Sequence, residues 1–236
     1  MPIVPSDQAK DRIVNEISNA FLLVFAGLFP VVNPLGAAPL FLSLTADCTP
    51  QQRKRLALLV AFNSFWLLVG STLFGSLILE FFGISIPVVR VAGGLLVTAM
   101  GWKLLSEGVA SNHEPLHEAT DVGAANDSFY PLTLPLTVGP GAISVALTIG
   151  SHHPRDPFGA HAMLLVTAAL FGLLAIALTI YGSYRFAVPL VRYLGGAGVN
   201  VLVRLSAFIL VCIGIQIGWS GLSVLFSGLQ HPVALP

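Results

Sequence analysis

The chain has 236 residues, 55% of them hydrophobic and only 9% charged, and its formal net charge is zero. A soluble domain carries about 25% charged residues, so this chain cannot cover a water-facing surface. No basic patch interleaved with aromatics suggests nucleic acid, and two cysteines, Cys48 and Cys212, make no disulfide framework.

The charges are clustered. No Asp, Glu, Lys or Arg falls within 17–46, 56–79, 91–102, 128–154, 157–184 or 205–236. All but the third window reach the length of about 20 residues needed to cross a bilayer, and the third does so once Arg90 is admitted. The expected fold is all-α: a polytopic membrane protein with six helices spanning 17–44, 56–80, 84–106, 129–151, 160–184 and 203–228, forming one integral membrane domain over 1–236. Lys10 and Arg12 ahead of an apolar run loosely imitate a signal peptide. The apolar stretch resumes after Gly36-Ala37-Ala38, so a retained span is expected.

Span one contains FPVVNPLGAAPLF, Phe29 to Phe41, with three prolines inside an apolar run. Asn is a favoured N-cap, and Pro is favoured at the first helical position, where a missing N–H costs nothing. Asn33-Pro34 therefore predicts a helix that starts afresh within the span. Pro34 also deprives the Pro30 carbonyl of its usual donor. Span two holds Asn63 and Ser64, whose default role is interhelical hydrogen bonding, and a small-residue pair, Ser71 and Gly75, suited to helix contact. Span three carries Arg90 in RVAGGLLV, then Thr98.

The loop over 107–128 is acidic, with His113 and His117 in HEPLHE. Two histidines four apart suit a metal on a helix, but Pro115 lies between them and no further ligand is near, so a solvated loop without metal is expected. His152, His153 and His161 are read the same way. Span four contains PLTLPLTVGPGAI, where Gly139-Pro140 predicts a second restart and frees the carbonyl of Leu136. Span six carries Arg204 in RLSAFILV, then Gln216 and a Gly214–Gly218 pair of the GxxxG type.

PVVNPLGA at 30–37 is echoed by PLTVGPGA at 135–142, and RVAGGLLV is weakly echoed by RLSAFILV. These echoes predict two homologous halves, about 17–106 and 129–228, joined by the acidic loop. Three spans per half would insert the halves in opposite directions, an architecture common among secondary transporters. Broken spans one and four would then each present a helix N-terminus, carrying roughly half a positive charge, near the midplane. Exposed backbone there cannot face lipid. Basic residues tend to stay cytoplasmic. Six spans place seven of them (Arg53, Lys54, Arg55, Lys103, Arg185, Arg192, Arg204) on one side and four (Lys10, Arg12, Arg90, Arg155) on the other, so both termini are expected outside the cytoplasm.

VVNPLGAAPLFLSLT, PLTLPLTVGPGAI and RVAGG resemble the MarC family of bacterial multi-pass membrane proteins, over roughly Asn19 to Leu229. The resemblance implies a six-span inner-membrane protein of two repeats, within a wider group of small-solute exporters, some described as carriers of neutral amino acids. Its motif residues fall on Asn33, Pro34 and Gly36, on Gly139, Pro140 and Gly141, and on Arg90.

The expected function is secondary transport of a small zwitterionic or anionic solute, such as a neutral amino acid. The candidate solute site comprises Asn33, Pro34 and Gly36 from the first repeat and Thr137, Gly139, Pro140 and Gly141 from the second, with Arg90 and Arg204 as gating or pairing residues. The alternative is a non-transporting membrane assembly or interaction protein whose polar residues serve packing alone. No intramembrane zinc motif, Ser-His elbow or phosphate loop is present, so neither an enzyme nor a cofactor is expected. Expected partners are the solute and the lipid bilayer, with a homo-oligomer left open and no nucleic acid. No buried carboxylate stands out as a proton-coupling group.

Overall fold

The structure, a computed structural model, describes residues 7–107, 128–150 and 160–230. The first half is α1 (Asp7–Val32), α2 (Pro34–Leu44), α3 (Pro50–Phe81) and α4 (Ile86–Glu107). The second is α5 (Ser128–Thr137), α6 (Pro140–Gly150), α7 (Ala160–Arg185) and α8 (Ala187–Gln230). Each half thus runs as an interrupted pair followed by two long helices. α1, α3, α4, α7 and α8 each contain a stretch long and apolar enough to cross a membrane, and α5 with α6, bent by 73°, supplies a sixth. Five of the six expected spans fall on these units; expected span one, 17–44, runs past the apolar stretch of α1, Val14–Val32, and takes in α2, an apolar helix of 11 residues that is too short to cross alone.

Two boundaries differ from the charge windows, each for a local reason. α3 starts at Pro50, six residues before the apolar run, because Thr49 and Gln52 form a capping box. Gln52 N donates to Thr49 Oγ1 at 3.3 Å, and Thr49 N donates to Gln52 Oε1 at 2.8 Å. α8 starts at Ala187, not 203, and is broken at Gly195, whose φ of 65° suits a residue without Cβ. A 44-residue helix would measure about 66 Å at 1.5 Å per residue, twice the hydrocarbon thickness of about 30 Å. The segment before Gly195 is therefore surplus to the crossing.

The turn between α2 and α3 is organised by Arg53. Its Nε donates to Thr45 Oγ1 at 3.1 Å, and its Nη2 reaches the carbonyls of Thr45 (2.5 Å), Ala46 (3.4 Å) and Cys48 (3.4 Å). Thr45 is buried. Charge-assisted hydrogen bonds contribute about 1.5–3 kcal/mol, so Arg53→Ala is expected to lower the thermal unfolding midpoint in detergent clearly. Lys54→Ala, at an exposed neighbour, should leave it nearly unchanged. Equal midpoints for the two variants would contradict this role.

α4 and α8 run antiparallel in the most extensive helix contact of the fold. A methyl on Gly94 would lie 2.3 Å from Gly218 N and 2.6 Å from Gly214 O, and one on Gly101 would meet Val211 N at 2.8 Å. At the other end, Gly221 lies against Pro87 and Arg90. The small-residue pairs expected to make helix contacts do so: Gly214 and Gly218 face Gly94, and Gly75 of α3 faces Leu147 of α6. α6 is wedged between α3 and α4, and α7 lies on α1 through Gly172 and Val24. The core includes Leu28, Phe41, Leu68, Leu132, Leu173, Ile176, Ile180 and Tyr184.

Candidate functional site

Asn33 interrupts the first span with a single residue. Its backbone is left-handed (φ 47°, ψ 55°), a region that Asn tolerates better than most side chains. The N–H of Asn33 still donates to Phe29 O at 2.9 Å, closing α1, and its carbonyl accepts from Ala37 N at 3.0 Å, opening α2. Its side-chain Oδ1 accepts from Gly36 N at 3.2 Å. Asn33 therefore caps α2 as its sequence predicts, although from a left-handed rather than the usual extended conformation. Pro34 takes the first helical position, and Pro34 and Gly36 are buried while Asn33 is half-buried.

The second interruption is built differently. α5 is a wide, irregular coil. Val138 N donates to Thr133 O at 2.8 Å, Thr137 Oγ1 to Leu132 O at 2.6 Å and Thr133 Oγ1 to Ser128 O at 2.7 Å, each five residues back. Tyr130 and Leu134 are extended because each precedes a proline, which disfavours the helical region. α6 then begins at Pro140, with Ile143 N donating to Gly139 O at 3.2 Å. Gly139 does not use a positive φ; it admits neighbours, since a methyl there would sit 3.2 Å from Met100 Cε and 3.3 Å from Pro135 O. Gly141 is tighter, with Val97 Cγ2 2.2 Å from where its Cβ would be.

Two contacts bracket the interruptions. On one side Gly27 of α1 faces Ile149 and Val145 of α6. On the other, the Phe41 ring of α2 stacks on Tyr184 (centroids 4.3 Å apart, planes 9° apart), and the Tyr184 hydroxyl bonds Thr137 Oγ1 at 2.8 Å. The order along the two broken spans is therefore opposite. Pro34 follows Gly27 by seven residues, while Pro140 precedes Val145 and Ile149 by five and nine. At 1.5 Å per residue, the two restarts stand at matching depth. Asn33, Pro34 and Gly36 are thereby brought level with Thr137, Gly139, Pro140 and Gly141, and α2 and α6 run away from one another, each with its N-terminus toward this shared level.

Arg90 and Arg204 do not join this group. Arg90 is half-buried beside Gly221, and Arg204 is exposed toward the opposite end of the α4–α8 pair. The Phe41–Tyr184 contact puts the ends of α2 and α7 on one face of the bundle, where α3 begins and α4 ends. Arg53, Lys54, Arg55, Lys103, Arg185, Arg192 and Arg204 lie toward this basic face. Asn63 Nδ2 donates to Ser128 Oγ at 3.3 Å, an interhelical bond as expected, while Ser64 Oγ is buried without a hydrogen-bond partner. Thr98 Oγ1 donates to Gly94 O within its own helix at 2.7 Å. His113, His117, His152 and His153, and the loops that carry them, lie outside the described residues.

Sequence reasoning overlooked Tyr184 and Phe41. A tyrosine inside a span carries a hydroxyl that needs a partner when buried, which was the available signal.

Comparison with known proteins identifies the lineage of this arrangement. The family described as "MarC family integral membrane protein" matches residues 18–226. The protein named "UPF0056 inner membrane protein MarC" from Citrobacter koseri is 33% identical over 196 residues, covering 80% of this chain and 87% of its own. Those of the same name from Escherichia coli K12 and Shigella flexneri are also 33% identical, over 194 residues and with the same coverage. No solved structure matches the chain significantly. With nearly all described spans inside the match and the Asn-Pro and Gly-Pro-Gly interruptions within it, the chain belongs to the MarC family of integral membrane proteins.

Proposed function

We propose that the protein is a secondary transporter of a small zwitterionic or anionic solute, such as a neutral amino acid, held where α2 and α6 begin. The observation that carries this reading is that two helix N-termini start at one depth along the two broken spans. Each carries about half a positive charge, a setting suited to a carboxylate, although at α2 the N–H groups of Gly36 and Ala37 are already taken by Asn33. The carbonyl of Pro30, which has lost its usual donor, is available to an ammonium or a coupling cation. Backbone of this kind at membrane depth is tolerated where it is enclosed by protein; Pro34, Gly36, Gly139 and Gly141 are buried, while Pro140 is exposed. A purely packing role would be served by continuous helices, whereas one span restarts at Asn33 and the other bends by 73°.

The relatives' names and the family match support placement in a bacterial inner membrane as a multi-pass protein. The basic face would then be cytoplasmic and both termini external. Thermal stability of purified protein, measured against neutral amino acids and small carboxylates, tests the reading. A true ligand stabilises by mass action, about 2.7 kcal/mol at a hundredfold excess over Kd. At least one solute is expected to raise the midpoint of the native protein and to lose that effect in Asn33→Ala. Equal stabilisation of both proteins would remove the solute from the interruptions.

A further inference from the structure

We propose that Tyr184, Phe41 and Thr137 form the gate that shuts the candidate site off from the basic face; this rests on the transport reading above. Three observations carry it. First, the Phe41–Tyr184 stack joins the two halves that a rocking motion must separate, and Thr137, in the same half as Tyr184 and two residues before Gly139, holds the tyrosine hydroxyl. The direction of the hydrogen bond is fixed. Thr137 has one hydroxyl hydrogen, which goes to Leu132 O at 2.6 Å, so Tyr184 is the donor at 2.8 Å.

Second, the trio lies on the basic side of the interruptions and is sealed. Phe41 follows Pro34 by seven residues, about 10 Å along a helix, and the exposures of Phe41, Tyr184 and Thr137 are 0%, 1% and 2%. The joints themselves are a ring stack and one side-chain hydrogen bond, so they can part without breaking backbone bonds. Such joints are weak enough for a bound solute to shift the balance.

Third, the opposite side is not sealed in the same way. A cavity of about 180 Å³ lies between α1, α3, α6 and α7, lined among others by Leu23, Val24, Thr72, Leu73 and Ile149. Val24 precedes Asn33 by nine residues, so the cavity lies on the far side of the interruptions. The sealed trio thus stands on the basic side of the interruptions, and an apolar cavity stands on the far side.

Thiol accessibility tests the gate without any solute. In full-length protein carrying Cys48→Ala, Cys212→Ala and the reporter Val138→Cys, a membrane-impermeant maleimide is applied to vesicles of each orientation. Val138 is fully buried, so slow labelling is expected from both faces. Tyr184→Ala should raise the rate about tenfold or more from the basic face alone. Tyr184→Phe, which keeps the ring stack and loses the donated bond, should give a smaller one-sided rise, and it decides the matter if the alanine variant does not insert. An unchanged rate, or an equal rise from both faces, overturns the gate whether or not flux is observed. A one-sided rise sustains the gate even if no transported solute is found, so the two readings fail separately.

Discussion

Asn33→Ala is expected to reduce flux of the recognised solute at least tenfold in proteoliposomes while the protein still reaches the membrane. Two losses combine in this variant. The Oδ1 acceptor of Gly36 N disappears, and loss of an N-cap costs about 0.5–2 kcal/mol. Alanine must also hold a left-handed backbone that Asn accepts and β-carbon sterics disfavour by about 1–2 kcal/mol. Asn33→Gly separates these effects. Glycine adopts a positive φ freely and, as an N-cap, falls only a few tenths of a kcal/mol below Asn. The glycine variant should therefore fold nearly as well as the native protein yet still transport poorly, because the side chain itself is missing from the site. Full flux in Asn33→Gly would assign Asn33 a purely structural role.

A large effect on stability is expected at Gly94. Its missing side chain faces Gly218 N at 2.3 Å, Gly218 Cα at 2.6 Å and Gly214 O at 2.6 Å. All three are backbone atoms of α8, which cannot rotate away as a side chain would. Gly94→Ala must push two long helices apart, and because they are antiparallel over most of their length the separation is felt along the whole contact. Overpacking a well-filled core costs about 1–3 kcal/mol, and a backbone-to-backbone contact belongs at or above the top of that range. The thermal midpoint in detergent and the steady-state level in the membrane should both fall sharply. Gly70→Ala is the matched control. Nothing lies within 4 Å of a methyl at Gly70, and alanine is favoured over glycine in a helix interior by about 1 kcal/mol, so that variant should be neutral or stabilised. Similar behaviour of the two would show that the α4–α8 contact does not hold the fold together.

The spans were legible in the sequence because charge is excluded from the hydrocarbon region, and the gaps between charged residues are nearly the spans themselves. The interruptions were legible because Asn-Pro and Gly-Pro each carry a local helix-start signal. What stayed hidden depended on partners distant in sequence. Tyr184 lies 47 residues from Thr137 and much further from Phe41, so nothing near it announces either contact. The left-handed backbone of Asn33 and the wide coil of α5 answer to the packing around them as much as to their own residues. Pro131 and Pro135 mark α5 as irregular without specifying the five-residue hydrogen bonds it adopts. The start of α3 was readable and was passed over. Thr49-Pro50 with Gln52 is a capping signature that lies outside the apolar window. Arg90 and Arg204, paired by a weak sequence echo, fall at opposite ends of the α4–α8 pair, and neither sits beside the interruptions.

The shared depth of the two helix starts underlies both the site and its gate, and disulfide trapping across α1 and α6 tests it most directly. In membranes, with Cys48 and Cys212 replaced by alanine, Gly27→Cys is paired in turn with Val145→Cys, Ile149→Cys and Leu136→Cys. The packing of Gly27 against Val145 and Ile149 predicts rapid oxidation of the first two pairs and none of the third. Preferential trapping of Gly27→Cys with Leu136→Cys would set the interruptions at different depths and contradict the account.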